Sequence, residues 1–371
     1  MTSEVIIVGA GIIGCACAHE LAAAGARVSV FDVRRTGQGA SQASAGVLAP
    51  FIEGHEPGPL RELGGRSLGM YDHFVQQAMA VSGLTVQYTR NGTLEVAFEY
   101  DAAERLRQTV QALLAENIRA EWLEGPTLRA AEPLVTGAAR GGVMIADHGF
   151  VGVPDLIDAL AASAMKNGAT FAIETQVIAV EHGPGGRLAV ATENGVSFAD
   201  MVVIATGSWT SELTLVDSEN AHIKPVRGQL LHLSWATSQP LRHVLWGPDC
   251  YVVPWLNGRV LVGATVEDVG FDERATASAV RDLLQAGCTL VPELGNATFA
   301  EVRVGLRPAA SDHLPIVGPS RSLPGVIFAT GHYRNGVLLA PLTAMLVRDL
   351  VFGKTTDPAL AAMSPSRFGK L

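Results

Sequence analysis

The strongest constraint on the fold lies in residues 4–32, which follow the order strand, glycine-rich turn, helix, strand. The apolar, β-branched run at 4–8 predicts a buried strand, and Gly-Ala-Gly-Ile-Ile-Gly at 9–14 follows it directly. A helix of small residues continues to about residue 24, and 27–32 has the pattern of a second strand. This order predicts one βαβ unit of an α/β fold.

The glycine spacing within this unit predicts a dinucleotide site. Gly9 permits a sharp turn out of the strand, Gly11 permits close approach of a pyrophosphate, and Gly14 permits close packing of helix on strand. The helix N-terminus supplies N–H groups for the phosphates, and Asp32 is placed to accept hydrogen bonds from a ribose diol. The alternative is a structural turn in an ordinary βαβ protein, which the full context disfavours. The same segment adds three further cofactor-binding candidates: Ala10, Ile12 and Ile13.

The fingerprint does not separate FAD from NAD, but two other segments favour FAD. The small-residue loop at 37–46 could lie flat against an extended cofactor, although a flexible loop has the same composition. The apolar strand that begins near residue 199 ends in Ala-Thr-Gly, which would return the sheet to the nucleotide. The glycines at 183–186 read as a hairpin turn, so no second dinucleotide site is expected and no bound pyridine nucleotide would reduce a flavin. The candidates from the first two segments are Ser41, Gln42, Ser44, Ala45, Gly46, Ala205, Thr206, Gly207 and Trp209.

The pattern along the chain changes twice and predicts a discontinuous, two-domain α/β (α+β mixed) fold. Residues 60–82 and 101–117 read as amphipathic helices, whereas 91–98 and 226–266 contain alternating strands. We expect a Rossmann-like FAD-binding domain and an antiparallel-sheet substrate domain that covers the flavin. The expected boundaries are 1–84, 147–222 and 303–371 for the FAD-binding domain, and 85–146 and 223–302 for the substrate domain.

Composition excludes several function classes. The 371 residues carry a net charge of -9 and no long basic run, so nucleic acid is not an expected partner. Four irregularly spaced cysteines predict neither a disulfide framework nor a metal site, and they favour a reducing, cytoplasmic location. No segment has the pattern of a signal peptide or a transmembrane helix. The sequence leaves open whether the chain forms a homo-oligomer.

Eight short strings stand in a specific order and spacing along the chain: Gly9–Gly14 with Asp32, Ser44–Gly46, Val202–Trp209, Pro225–Gly228, Cys250–Pro254, Val262–Thr265, Gly305–Pro308 and Gly331–Pro341. Through them the chain resembles, over nearly its whole length, the D-amino-acid oxidase superfamily of FAD oxidoreductases, and within it the glycine oxidases of the thiamine-biosynthesis type. This resemblance implies hydride transfer from the substrate Cα to a flavin, without an acid/base pair. Covalent attachment of FAD is not expected, because none of the four cysteines lies near the segment 305–308.

Arg307 is the leading candidate for binding a substrate carboxylate. It lies in an otherwise apolar segment, where a guanidinium needs an anionic partner, and its planar fork suits a carboxylate. The alternative is a structural salt bridge, a role for which Arg303 is the better candidate. By resemblance, the hydroxyl of Tyr251 would bind the same carboxylate, although a tyrosine in an apolar strand is commonly part of the core.

The resemblance also places part of the site in the turn at 331–338. Arg334 resembles a second active-site arginine, and the backbone amides of Gly331 and Gly336 would reach the flavin carbonyl. His332 is a candidate base, but a hydrogen-bonded structural histidine is the favoured interpretation. The cofactor contacts that the resemblance implies are Val177, His332, Arg334, Asn335, Gly336, Val337 and Leu338.

Together these features predict an FAD-dependent oxidase of glycine and other small amino acids, such as sarcosine or D-alanine. Its expected products are a 2-oxo acid, ammonia or an amine, and hydrogen peroxide from O2. One alternative is a D-amino-acid or hydroxyproline-type dehydrogenase with another electron acceptor; another is a flavoprotein subunit of a larger dehydrogenase complex. Asp249 and Trp255 stand where the compared oxidases carry basic residues, so the size and charge of the pocket are open.

Overall fold

The computed structural model of the protein describes residues 3–53, 57–219, 223–255, 257–354 and 356–371. The expected domain boundary at residue 222 lies outside these ranges. The βαβ unit consists of β1 (Glu4–Val8), α1 (Ile12–Ala23) and β2 (Arg27–Asp32). The two strands pair in parallel, which confirms the prediction from the glycine-rich turn.

Four further strands join β1 and β2 in a six-stranded sheet: β9 (Thr170–Ile173), β13 (Met201–Ile204), β20 (Ile316–Pro319) and β21 (Val326–Thr330). The order across the sheet is β20, β21, β13, β1, β2, β9. All neighbours are parallel except β20 and β21. The strand that precedes Ala-Thr-Gly, β13, therefore lies directly beside β1, in the sheet that carries the glycine-rich turn.

Three long helices and α1 cover one face of this sheet: α3 (Pro59–Ser82), α6 (Val153–Lys166) and α8 (Gly336–Val351). Both α1 and α3 contact α6 and α8. Alternate residues of β1 serve different cores, because Val5 and Ile7 pack with the helices while Ile6 and Val8 pack on the opposite face. Burial on both faces explains why the first strand is uniformly apolar.

The opposite face packs against a four-stranded sheet of β10 (Val177–His182), β11 (Leu188–Thr192), β12 (Gly195–Ala199) and β14 (Thr214–Leu215). Its order is β12, β11, β10, β14. The turn between β10 and β11 is closed by the N–H of Gly183, which donates to Arg187 O at 2.8 Å. The glycine cluster at 183–186 is thus a hairpin turn, as predicted.

An eight-stranded sheet forms the second main layer: β5 (Thr93–Ala97), β6 (Ala120–Leu123), β7 (Gly141–Ile145), β15 (Lys224–Ser234), β16 (Val244–Trp246), β17 (Tyr251–Trp255), β18 (Arg259–Gly263) and β19 (Thr298–Ala309). Its order is β19, β15, β18, β17, β16, β5, β7, β6. The sheet was expected to be antiparallel throughout, but β5 and β16 pair in parallel. They come from distant parts of the chain, so no tight turn dictates their relative direction.

The remaining strands, β3 (Val47–Leu48), β4 (Tyr88–Thr89) and β8 (Gly149–Val151), form a three-stranded sheet. The remaining helices are α2 (Pro50–Glu53), α4 (Tyr100–Ala115), α5 (Gly125–Ala131), α7 (Ala277–Leu290) and α9 (Ala359–Met363). The two amphipathic helices predicted at 60–82 and 101–117 correspond to α3 and α4. Within the described ranges, no helix has the length and apolarity needed to cross a membrane.

Helix α8 contains a proline, and two side chains of α3 compensate for it. Pro341 has no N–H, so it leaves Val337 O without its usual helical donor. Tyr71 Oη donates to that carbonyl at 2.5 Å. Ser67 Oγ donates to Leu338 O at 2.7 Å. Helix α3 thereby holds the first turn of α8 in place.

Candidate active site

A cavity of about 490 Å³ lies between the six-stranded and eight-stranded sheets. Val8, Phe31 and Ala205 bring to it the carboxyl ends of three parallel strands, where open α/β sheets commonly bind ligands. Tyr251 and Arg307 line it from the eight-stranded sheet. Its volume lies in the ordinary range for small-molecule sites.

The structure brings together nearly all the residues that the sequence assigned to the site. The following line the cavity: Gly9, Gly11, Ile12, Ile13, Asp32, Ser41, Ser44, Ala45, Gly46, Val177, Ala205, Thr206, Gly207, Trp209, Tyr251, Arg307, His332, Arg334, Asn335, Gly336, Val337 and Leu338. Their individual roles remain predictions.

Three assigned residues lie behind the wall instead. The N–H of Ala10 donates to Asp32, and the side chain of Gln42 donates to Gln38 O at 3.2 Å. Gly14 packs on Gly9, where a Cβ would lie only 1.8 Å from the Gly9 carbonyl oxygen. These residues support the cavity wall and do not face the cavity.

At one end of the cavity, two main-chain amides orient the carboxylate of Asp32. The N–H of Ala10 donates to Oδ2 at 2.6 Å, and the N–H of Arg34 donates to Oδ1 at 2.8 Å. Burial raises the pKa of Asp32, and these two hydrogen bonds oppose that shift. A carboxylate oxygen accepts more than one hydrogen bond, so Asp32 can still accept from a diol in the cavity.

Helix α1 begins beside Asp32 and offers main-chain donors to the same end of the cavity. Gly9 has φ +109°, and a Cβ there would lie 2.4 Å from Ala205 O, so the turn requires glycine. The helix N-cap is Gly11, which has no side chain with which to cap the first turn. Ser41 Oγ accepts from the N–H of Ile12 at 3.0 Å. Other first-turn amides have no helical acceptor and suit an anion such as phosphate.

An arginine that the sequence analysis missed lies over this end of the cavity. Arg34 lines the wall, and its Cζ lies 4.3 Å from the ring centroid of Trp209. Its Nη1 and Nη2 donate to the two carboxylate oxygens of Glu273 at 2.8 and 2.7 Å. The hydrogen bond to Glu273 raises the pKa of Arg34 further above its ordinary value. The only sequence signal was a basic residue close after Asp32.

Arg307 enters the other end of the cavity from β19. Its Nη1 donates to Thr265 O at 2.9 Å and to Arg227 O at 3.4 Å. Within the described part of the chain, no carboxylate forms an ion pair with Arg307. Arg303, four residues earlier in the same strand, donates from Nε to Glu301 Oε1 at 2.8 Å. The structural salt bridge considered as an alternative for Arg307 is therefore formed by Arg303.

Tyr251 enters the same end of the cavity from β17. Its ring lies next to the ring of Trp246, with 5.1 Å between the centroids. Trp246 also lines the cavity, and no charge or motif in the sequence had indicated it. The two rings form an aromatic wall of the cavity.

The turn at 331–338 forms a third wall. His332 is buried, with Nε2 2.9 Å from Thr343 Oγ1, and burial lowers its pKa to about 3. It is therefore neutral at physiological pH, as expected of a structural histidine. Arg334 is exposed and lines the cavity, and the N-terminal turn of α8 begins at Gly336. Cationic and main-chain donors thus surround this part of the cavity.

A cysteine also lines the cavity, which the sequence analysis had not expected. Cys250 precedes Tyr251 and is buried, and burial raises the pKa of its thiol to about 12. The thiol is therefore protonated and a poor nucleophile at neutral pH. The described residues contain no cluster of three or more His, Cys, Asp or Glu side chains that could hold a metal ion.

The mostly parallel sheet presents the N-terminus of α1 and the carboxylate of Asp32 to one end of the cavity, and the second sheet presents Arg307 to the other end. This arrangement is typical of enzymes that bind a dinucleotide cofactor between two sheets. The chain belongs to the DAO family of FAD-dependent oxidoreductases, whose family model matches residues 4–350.

Individual relatives agree with this membership. The chain is 36% identical to a bifunctional ThiO/ThiG protein of Synechocystis sp. over 99% of its length, but it spans only 54% of that relative. It is 33% identical to a glycine oxidase of Geobacillus kaustophilus, over 98% of this chain and 97% of the relative. The crystal structure of glycine oxidase from Geobacillus kaustophilus superposes with a TM-score of 0.93 and 32% identity, covering 99% of both chains.

The residues present fit the FAD that this family uses. The helix N-terminus at Gly11 and the carboxylate of Asp32 offer complementary partners for phosphate and for ribose. The cavity continues without a break from Asp32 to Arg307, so one extended molecule can contact both ends. Beside the Asp32 end of the cavity, Arg34 forms an ion pair with Glu273 at 2.7 Å.

Proposed function

We propose that the protein oxidises glycine and other small amino acids of the sarcosine or D-alanine type. The substrate loses a hydride, which carries two electrons, from Cα and a proton from its nitrogen to give an imine, which water hydrolyses to a 2-oxo acid and ammonia or an amine. Bound FAD supplies the acceptor for the hydride. Dioxygen takes up the two electrons in turn and becomes hydrogen peroxide.

The observation that carries the proposal is the position of Arg307 at the end of the cavity opposite Asp32. One edge of its guanidinium is fixed by Thr265 O, and no acid among the described residues neutralises its charge. A substrate carboxylate would supply that charge and could bind two N–H groups at once. The carboxylate would then fix where Cα lies in the cavity.

The neighbouring groups limit which amino acids fit. We infer that the aromatic wall of Trp246 and Tyr251 favours substrates with a small Cα substituent. His332 is neutral and already hydrogen-bonded to Thr343, so it is not placed to remove a proton. We infer that the substrate amine must enter neutral and that orientation supplies most of the catalysis.

We also propose that FAD is held without a covalent bond. Cys250 is the cysteine on the cavity wall, and its raised pKa keeps it protonated. Acid precipitation should therefore release all the flavin into the supernatant. A pellet that stays yellow would contradict this assignment.

We also propose that one domain binds the cofactor and the other binds the substrate. The segments 1–84, 147–222 and 303–371 would hold the cofactor, and 85–146 and 223–302 would hold the substrate. Strand β19 runs across residue 303, so the two parts share one strand. We further propose a cytoplasmic location, with which the four free cysteines agree. We also propose a homo-oligomer, which size-exclusion chromatography would test.

The test is anaerobic mixing of the FAD-loaded protein with glycine, sarcosine, D-alanine and D-proline, followed by admission of air. We expect the flavin absorbance to bleach with small amino acids and to recover in air with release of peroxide. Methylamine, which lacks a carboxylate, is the matched control and should bleach the flavin far more slowly.

Each other outcome identifies an alternative. Bleaching without recovery in air would favour a dehydrogenase with another electron acceptor. Rapid bleaching with methylamine would mean that the enzyme does not need a substrate carboxylate. A yellow protein that no amino acid bleaches would favour a subunit that needs a partner chain.

A further inference from the structure

Arg307 lies on a glycine of the neighbouring strand. A Cβ added to Gly228 in β15 would lie 2.4 Å from each of Cζ, Nη1 and Nη2 of Arg307. Equal distances to three atoms of one plane mean that the guanidinium lies flat over the Gly228 backbone. In this position its Nη1 reaches Thr265 O at 2.9 Å.

Tyr251 lies on a second glycine in the same way. A Cβ added to Gly263 in β18 would lie 2.6 Å from Tyr251 Oη and 2.7 Å from its Cε2 and Cζ. Gly263 pairs with Leu230 of β15, two residues beyond Gly228, so the two glycines point to the same face of adjacent strands. The polar ends of Arg307 and Tyr251 therefore approach neighbouring positions from opposite sides, from β19 and from β17.

We propose that Gly228 is a positioning residue that sets the height of the Arg307 guanidinium above the sheet. This inference rests on the proposed binding of the substrate carboxylate by Arg307. Carbon atoms in contact lie about 3.5–4.0 Å apart, so any side chain at 228 would lift the guanidinium by roughly 1 Å. That shift would break the hydrogen bond to Thr265 O and misplace the two N–H groups that receive the carboxylate.

The surroundings of Gly228 distinguish this role from ordinary packing. The three atoms nearest to its missing Cβ all belong to the end of the Arg307 side chain, which can move. Gly142 in β7 of the same sheet is different, because a Cβ there would lie 2.6 Å from the main-chain oxygen of Glu95. Alanine at 228 should therefore displace Arg307, whereas alanine at 142, which does not line the cavity, should strain the backbone.

A double-mutant cycle on the FAD-loaded protein tests the inference. The variants are Gly228→Ala, Arg307→Ala and the double variant, and the measurement is the Kd of acetate, followed by the change it causes in flavin absorbance. Acetate is a carboxylate without an amine, so it binds without being oxidised. We expect Gly228→Ala to weaken acetate binding about tenfold and to raise KM for glycine more than it lowers kcat.

The decisive expectation is that Gly228→Ala has no effect on acetate binding once Arg307 is already Ala, since coupled residues are non-additive. Gly142→Ala, the matched control, should lower the free energy of unfolding and leave the Kd of acetate unchanged. A Gly228→Ala variant that does not fold would also overturn the proposal, because the movable end of Arg307 should accommodate the added methyl group.

The experiment distinguishes failure of the positioning role from failure of the proposed function. Normal acetate binding by Gly228→Ala, with weak binding by Arg307→Ala, overturns the positioning role and leaves the proposed function intact. Additive effects in the double variant also overturn it, because Gly228 would then act through another group. Normal acetate binding by Arg307→Ala overturns the carboxylate assignment itself.

Discussion

At the scale of single residues, the site depends on groups whose partners are main-chain atoms. The Asp32 carboxylate is oriented by two N–H groups, and the Arg307 guanidinium is fixed by Thr265 O. Main-chain partners hold a side chain in place without neutralising its charge. Each of these residues therefore keeps its charge for a ligand.

Replacing Asp32 with Ala should weaken FAD binding. The ribose hydroxyls would lose a charged acceptor, which typically costs about 1.5–3 kcal/mol. The Kd of FAD, measured by titrating the apoprotein and following flavin fluorescence, should rise about 10- to 150-fold, and activity at saturating FAD should largely return. Activity that stays lost in a folded, FAD-saturated variant would mean that Asp32 does more than bind the cofactor.

Residues of the cavity wall were predictable where residue type and chain order are diagnostic, as with Gly9, Gly11 and Asp32. Trp246 and Arg34 were missed because their positions depend on tertiary contacts that no local pattern encodes. Gly228 had been noticed only as part of a short string. Its relation to Arg307 becomes visible once the register of β15 against β19 is known.

At the scale of elements, the contact between α3 and α8 supports the third wall of the cavity. Tyr71 Oη donates to Val337 O, the carbonyl that Pro341 leaves without a donor. Val337 itself lines the cavity. The first turn of α8 therefore depends on a side chain of another helix.

Tyr71→Phe should destabilise the protein, because it leaves a buried carbonyl unpaired at a cost of about 1–3 kcal/mol. The measurement is the free energy of unfolding from denaturant titration. Tyr88→Phe is the control, because the ring of Tyr88 stacks on Tyr71 while its hydroxyl donates to the exposed Asp72 and accepts from Arg90. Equal losses in the two variants would contradict the role assigned to Tyr71.

The elements themselves followed well from the sequence. The βαβ unit, the hairpin at 183–186 and the two amphipathic helices are in place because local periodicity and turn residues determine them. The parallel pairing of β5 with β16 was not predictable, since the pairing of distant strands is decided by the packing of the whole sheet.

At the scale of the whole molecule, buried histidines link stability to pH. His148 is fully buried, its Nδ1 lies 2.7 Å from Thr93 Oγ1, and its Nε2 accepts from the N–H of Phe51 at 3.4 Å. Burial lowers the pKa of His148 to about 3 and that of His232 to about 4. With His332, three histidines are thus neutral in the folded protein at a pH where an unfolded chain would protonate them.

The free energy of unfolding should therefore fall as pH drops from about 6.5 towards 4. Below the pKa that a histidine has in the unfolded chain, the unfolded chain binds more protons than the folded protein. Each such histidine therefore lowers the free energy of unfolding by about 1.4 kcal/mol per pH unit. His148→Asn keeps the hydrogen bond to Thr93 and removes the titration. The free energy of unfolding of this variant should change less with pH than that of the unmodified protein, by that amount per pH unit. An unchanged slope would show that His148 does not link stability to pH.

The central claim is that Arg307 binds the substrate carboxylate, and the most direct test compares two arginines of one strand. The measurement is kcat/KM for glycine in the FAD-loaded Arg307→Ala and Arg303→Ala variants. Losing one partner of a buried charge pair costs about 3–5 kcal/mol, or roughly two to four orders of magnitude in kcat/KM. We expect that loss at Arg307 and a change of less than about threefold at Arg303, whose partner is the half-exposed Glu301. Near-normal kcat/KM in Arg307→Ala, or equal losses in both variants, would contradict the account.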